Sequence, residues 1–356
     1  MMTTESWAQQ TFEHMTLEEK VGQLMLVRVV KWRDQVEEML RRGWVGGVAL
    51  GRFDEGMDDP DAALALTNRF RRLSKYPPFL MANSANGASS CVRKGGSCLP
   101  THMALGAARS LPLAREYGRI AGESMLAMGF NLAGCLVLDV LTNPWCYIGT
   151  RSFGDDPELV AAMGLEAMRG IQATGQLAVA HHFFGKGESA VDTHLSLGAV
   201  PASMSLADLE RIHLHPFRVV MRHGLDSIET GHMHVPQLDP ATGMPVTLSR
   251  KIMTDYLRNR LGFDGLAVTD SLTMRPVKDR WGVEETAVLC ILAGHDMAMH
   301  DYESDPVITY NALLKACRET RIPPAELDAK VQRILRLKEK AGLHRDHGRY
   351  ERVREQ

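Results

Sequence analysis

The chain has 356 residues, 45% of them hydrophobic and 24% charged, with a formal net charge of −2 at pH 7. Those are the proportions of a soluble globular enzyme, and the near-neutral balance argues against nucleic acid as the main partner. No uninterrupted apolar run is long enough to span a bilayer, so no membrane partner is expected, and the start of the chain lacks the apolar core of a secretory signal, which predicts a cytoplasmic protein.

In chain order, residues 5–42 read as helices, with Thr16 and Glu19 at the spacing of a capping box. A strand over 45–50, a helix over 61–73 and a strand over 79–83 follow, the last running into a polar loop. A helix over 113–128 precedes two strand-like runs, 130–132 and 135–140, the second containing Asp139. Residues 142–153 are rich in turn formers and carry Arg151. Asp156 before Pro157 predicts a helix start, and that helix ends near Gly175. The apolar run 177–180 has the composition of a buried parallel strand. Residues 206–223 read as helix, and 225–229 as a strand leading to Thr230, His232 and His234. Ser249 is placed to cap a helix over 250–261, and the strand 265–269 delivers Asp270. A helix over 283–293, a strand over 296–299 and helix to about residue 342 complete the chain. This alternation of strand and helix, without linker or repeat, predicts an α/β fold, a single (βα)8 barrel of the TIM type. Residues 1–356 are read as one domain, with a peripheral tail from about residue 344.

The six cysteines form no C-x-x-C pair, which suits reduced thiols, although a bridge between Cys91 and Cys98 stays open. The densest chemistry lies in 178–197, where His181 and His182 end a strand and Gly185 and Gly187 free the backbone of the loop that follows. That loop carries Lys186, Glu188, Asp192 and His194. An aspartate two residues before a histidine can fix its tautomer on a loop, while an imidazole titrates near neutrality. Read structurally, the same pair is a plain surface loop, and Asp270 is a plain helix cap. His181, His182, His232 and His234 raise the possibility of zinc, but no H-E-x-x-H or Cys/His spacing supports it, so no metal or cofactor is expected.

These motifs, taken together, resemble the catalytic barrel of glycoside hydrolase family 3, most closely its single-domain bacterial β-N-acetylhexosaminidases. The likeness runs from Met15 to about Leu343. It rests on Met-Thr-Leu-Glu-Glu-Lys-Val-Gly-Gln-Leu at 15–24, Leu-Val-Leu-Asp139-Val, Gly-Thr-Arg151-Ser-Phe-Gly, His182-Phe with Gly-x-Gly, Asp192-Thr-His194, Gly-Phe-Asp-Gly-Leu-Ala-Val-Thr-Asp270 and Ala-Gly-His-Asp296. The resemblance implies Asp270 as nucleophile, His194 as general acid/base with Asp192 as its partner, and Arg151 and His182 as sugar ligands in a two-step retaining mechanism.

Two motifs depart from the family. Asn83-Ser-Ala-Asn-Gly-Ala-Ser-Ser-Cys91 stands where the family has Asp-x-Glu-Gly-Gly-Arg-Val-x-Arg, so a sugar-binding carboxylate becomes an amide and the arginines are gone unless Arg93 replaces them. His181-His-Phe-Phe-Gly-Lys186-Gly stands where the family has Lys-His-Phe-Pro-Gly-His-Gly. Each lost charged hydrogen bond is worth roughly 1.5–3 kcal/mol. The expectation is therefore a hydrolase of a β-linked amino sugar or modified β-glycoside with changed glycone specificity. Its substrate-binding residues are Arg151, His182, His181, Asn83, Lys186 and His232. The alternatives are a β-glycoside phosphorylase using the same residues and a non-catalytic sugar-binding pseudoenzyme.

Overall fold

Short buried strands set the architecture. The computed structural model describes residues 6–300 and 303–345. In chain order the strands are β1 (Met25–Arg28), β2 (Gly47–Leu50), β3 (Phe79–Asn83), β4 (Leu132–Val137), β5 (Leu177–Phe183), β6 (Gly198–Ala199), β7 (Ser227–Thr230), β8 (Met233–His234), β9 (Leu266–Thr269) and β10 (Ala298–His300). β6 and β8 pair only with each other, beside the functional face. The other eight form one parallel sheet in the order β10-β1-β2-β3-β4-β5-β7-β9. Its two ends meet where the Thr269 N–H donates to the Met297 carbonyl (3.2 Å) and the Leu272 N–H to the Met299 carbonyl (3.0 Å). The ring is the expected (βα)8 barrel. With helices outside and side chains inside, its strands are buried on both faces and need no polar alternation.

The caps explain where several outer helices begin. Thr16 and Glu19 form the reciprocal box, the Glu19 N–H reaching Thr16 Oγ1 at 3.3 Å and the Thr16 N–H reaching Glu19 Oε2 at 3.0 Å. Asp156 accepts from the Glu158 amide ahead of the helix Pro157–Ala173, as read from the sequence.

The structure corrects four element readings. Residues 5–42 are not all helix, because β1 lies between the helices Leu17–Gln23 and Arg33–Arg42. Its four residues continue an apolar run with no turn signal before it, and so short a run cannot be told from helix by periodicity. The two runs around 130–140 are one strand, β4. Residues 206–223 are two helices, Leu206–Ile212 and His215–Arg222, the second with Pro216 in its first turn. The helix read at 283–293 extends back to Arg275 through a kink at Gly282, whose φ of 72° suits glycine. All six cysteines are free thiols, so Cys91 and Cys98 form no bridge. Of the tail, His344 stacks on Trp7 with ring centroids 5.3 Å apart, and residues 346–356 lie outside the described residues.

Beneath the strands, at their N-terminal ends, the floor is held by two buried polar groups. Asp296 receives Arg258 and Arg333, each at 2.6 Å, and the Ala267 amide at 2.8 Å. Lys338, fully buried on the helix Pro324–Lys340, donates to Gln23 Oε1 at 2.6 Å and lies 5.1 Å from the Phe79 ring centroid.

Candidate active site

At the opposite face, the C-terminal strand ends converge on Asp270, the first residue after β9. Its N–H donates to the Thr230 carbonyl (3.0 Å), which fixes the backbone against β7. Its Oδ1 accepts from the Ser271 N–H (2.8 Å) and its Oδ2 from Lys186 Nζ (3.0 Å). Lys186 reaches that point because Gly185 turns the chain at φ 106°, and the Lys186 N–H then donates to Asp139 Oδ1 at 2.6 Å. A side chain at Gly231 would fill the same space, since a Cβ there would lie 2.5 Å from Lys186 Cε. Asp139 also receives His182 Nδ1 at 2.8 Å, so one buried carboxylate orients both the lysine and the histidine. Sequence reading gave Asp139 no role, although it stood beside an apolar run and within one of the motifs that carry the resemblance.

Burial alone would raise the Asp270 pKa, but the Lys186 ammonium holds it well below the usual carboxylate range. For Lys186, burial acts to lower the pKa and the Asp270 carboxylate prevails in the other direction. Burial, then the charges of Lys186 and Arg151, push His182 far down, which keeps it neutral. With Nδ1 donating to Asp139, its Nε2 is left as an acceptor.

The loop beyond Lys186 has two parts. From Gly185 to Ser189 it is buried apart from Glu188. Polar contacts hold it: the Asn143 N–H donates to the Gly187 carbonyl (3.1 Å), and a Cβ at Gly187 would collide with Val140. The tip is open, with the His194 and Asp192 side chains 64% and 44% exposed. Between them Thr193 is buried and shares a 2.7 Å hydrogen bond with the Tyr147 hydroxyl. His194 Nδ1 lies 2.7 Å from Asp192 Oδ1, which also accepts the His194 N–H at 2.9 Å. Burial raises the Asp192 pKa, and hydrogen bonds from the His194 backbone and ring outweigh it, leaving a net lowering. The carboxylate thus sets the ring tautomer and leaves Nε2 facing away from it.

Asp270 and His194 line one cavity of about 360 Å³, together with Asn83, Arg151, His181, His182 and Lys186. His232 does not line it. Both ring nitrogens of His232 are engaged, with Thr247 Oγ1 and the Ser271 carbonyl at 2.8 Å each, so it braces the segment behind Asp270. Arg93 does not replace the missing arginines, since it is exposed and bound to Asp58 (2.5 Å) and the Arg52 carbonyl (3.1 Å). Arg28, Arg52, Tyr147 and Glu229 line the cavity without having been singled out in the sequence. Glu229 accepts from His181 Nδ1 at 3.0 Å, and an acidic residue inside the buried strand β7 was the signal for it. His181, His182 and Glu229 bring donor atoms within 4.8 Å of one another. Both histidines are bonded through Nδ1 to carboxylates, which leaves their Nε2 atoms as the remaining donors, and the Lys186 and Arg151 charges lie beside His182.

A family profile described as the glycosyl hydrolase family 3 N terminal domain matches residues 16–337. A β-N-acetylglucosaminidase/β-glucosidase of Cellulomonas fimi is 33% identical over 352 residues, covering 96% of this chain and 60% of that protein. A β-hexosaminidase of Thiobacillus denitrificans is 31% identical over 287 residues, 78% of each chain. The structure of a family 3 β-N-acetylglucosaminidase from a Paenibacillus species superposes with a TM-score of 0.89 at 32% identity, covering 93% of this chain and 64% of that one. The chain therefore spans less than two thirds of the Cellulomonas and Paenibacillus proteins. No helix among the described residues is long and apolar enough to cross a membrane.

Proposed function

The chain belongs to glycosyl hydrolase family 3, and on that premise we propose that it is a retaining β-glycosidase of the β-N-acetylhexosaminidase type with an altered glycone pocket. One observation carries the reading: a single cavity holds an ionised carboxylate, Asp270, and a histidine, His194, whose other ring nitrogen is bonded to Asp192. Asp270 attacks the anomeric carbon as His194 Nε2–H protonates the departing oxygen. His194 then takes a proton from water, which attacks the same carbon and releases Asp270.

The sugar is gripped by Arg151, His182, His181 and Asn83, all of which face the cavity. Asn83 is neutral, and its Oδ1 accepts from the Ala85 N–H at 3.2 Å. The loop's one ammonium, on Lys186, is held by Asp270. Two charged grips on sugar hydroxyls are thereby absent, so weak activity on N-acetylglucosaminides is expected beside better activity on another β-linked sugar. The test is a panel of aryl β-glycosides assayed with and without inorganic phosphate. An N-acetylglucosaminide efficiency of about 10⁴ M⁻¹s⁻¹ or more overturns the altered specificity, and a phosphate-dependent product points to phosphorolysis. No turnover of any sugar identifies a binding protein. Asn83→Asp with His181→Lys should raise N-acetylglucosaminide turnover.

A further inference from the structure

Asp270 has no idle oxygen. Oδ1 accepts the Ser271 amide, and Oδ2 accepts the ammonium of Lys186, whose side chain is 1% exposed and whose backbone N–H is held by Asp139. In a retaining reaction this carboxylate has two opposed tasks. As the C1–O bond to Asp270 forms, its negative charge disappears into an ester; as that bond breaks, the charge returns. A buried cation at 3.0 Å stabilises the charged form only. It therefore weakens Asp270 as a nucleophile and strengthens it as a leaving group.

We propose that Lys186 acts chiefly in the second half of the reaction, as the cation that makes Asp270 a good leaving group from the glycosyl-enzyme, and not as a ligand of the sugar. This rests on Asp270 being the nucleophile. In that second step, water adds to C1 as the C1–Oδ bond breaks. The bonding pair returns to the Asp270 carboxylate beside the ammonium, and the water proton goes to His194. No oxidant, metal or further reactant is needed. The surroundings suit the role, because Lys186 Nζ also lies 5.9 Å from the Tyr147 ring centroid and is sealed from bulk water.

The experiment is rapid-mixing kinetics with an aryl β-glycoside accepted by the protein, on the unmodified chain, Lys186→Met and Lys186→Arg. Lys186→Met should release about one equivalent of aryl alcohol in a burst, followed by turnover slowed about 10- to 100-fold. The acid limb of its kcat/KM profile should move up towards neutrality, because an unpaired buried carboxylate protonates more readily. Lys186→Arg should keep the acid limb and show little burst. A Lys186→Met protein with a raised KM, no burst and an unmoved acid limb overturns the proposal and makes Lys186 a sugar ligand.

Should that variant fail to fold, the unmodified protein still decides. Its labelling by a 2-fluoro aryl glycoside should hold its rate down to about pH 4, near the ordinary aspartate value. Loss of labelling with a midpoint near neutrality overturns the pairing. Labelling of a residue other than Asp270 sinks the underlying nucleophile assignment instead, a result distinct from failure of the Lys186 role.

Discussion

Lys186 and Lys338 are sealed at opposite ends of this barrel, and they are held in opposite ways. Lys186, at the C-terminal face, lies 3.0 Å from a carboxylate that burial would otherwise neutralise. Lys338, at the floor, has a neutral amide oxygen at 2.6 Å and an aromatic ring, and burial pushes its pKa down to about 7. The same side chain, equally buried, is a fixed cation at one end and titrates near neutrality at the other. Buried paired charge thus occurs at both ends, Asp270 with Lys186 at the mouth and Asp296 with Arg258 and Arg333 at the floor, whereas Lys338 has a neutral partner. The tip of the loop after Lys186 differs again, with His194 largely in solvent and tethered through Thr193 and Tyr147.

The largest expected effect comes from removing the carboxylate that separates the two lysines in kind. Asp270→Ala should abolish turnover of every accepted glycoside and prevent labelling by fluorosugars. It should also make Lys186 resemble Lys338, with its pKa falling for want of a partner. Activity assays and mass spectrometry of labelled protein check the first two outcomes, and retained turnover would contradict the assignment.

At the exposed tip, His194→Ala should lower kcat/KM about 10²–10⁴-fold for glycosides with poor leaving groups. Aryl glycosides with good leaving groups should suffer far less in their first step, because they need no proton. An equal loss for both classes, measured across a leaving-group series, would make His194 a binding residue. Breaking the buried pair from the cationic side tests the mouth as structure. Lys186→Met should cost roughly 3–5 kcal/mol of stability at neutral pH by leaving Asp270 unpaired, and adding Asp270→Asn should recover part of it, as read from denaturant melts.

The sequence made the barrel and most of the mouth legible, because each functional strand ends in a polar residue after an apolar run. Asp270 after β9 and His181 and His182 near the end of β5 could be picked out in that way, and the Asp192/His194 pair by its spacing on a loop. The Lys186 partnership could not. It joins residues 84 positions apart and depends on the positive φ of Gly185 and on the empty space at Gly231. His232 looked like a ligand because it follows a strand, yet both its nitrogens face inward to Thr247 and Ser271. Glu229 and Asp139 could be seen as charges in or beside apolar runs, but their partners could not. A carboxylate within a buried strand declares that it needs a partner, but not which one.

The remaining expected effect lies at the floor, away from the cavity, and its sign follows from linkage. An unfolded lysine keeps its proton up to its ordinary value of 10.5, whereas folded Lys338 releases it above about 7. Between those values the unfolded state holds up to one more proton, so stability rises with pH through this group, by at most about 1.4 kcal/mol per pH unit. Below pH 7 both states are protonated, and the buried charge imposes a constant penalty. Lys338→Met removes that penalty and the slope together, while the methionine still fills the space beside Phe79. The variant should be more stable than the unmodified chain at pH 7, and the gap should narrow as pH approaches 10. Denaturant melts of both proteins across that range measure the difference directly, which cancels the other titrating groups. A gap that stays flat or widens with pH would mean that Lys338 is charged in the folded protein, and the contrast between the two ends of the barrel would disappear.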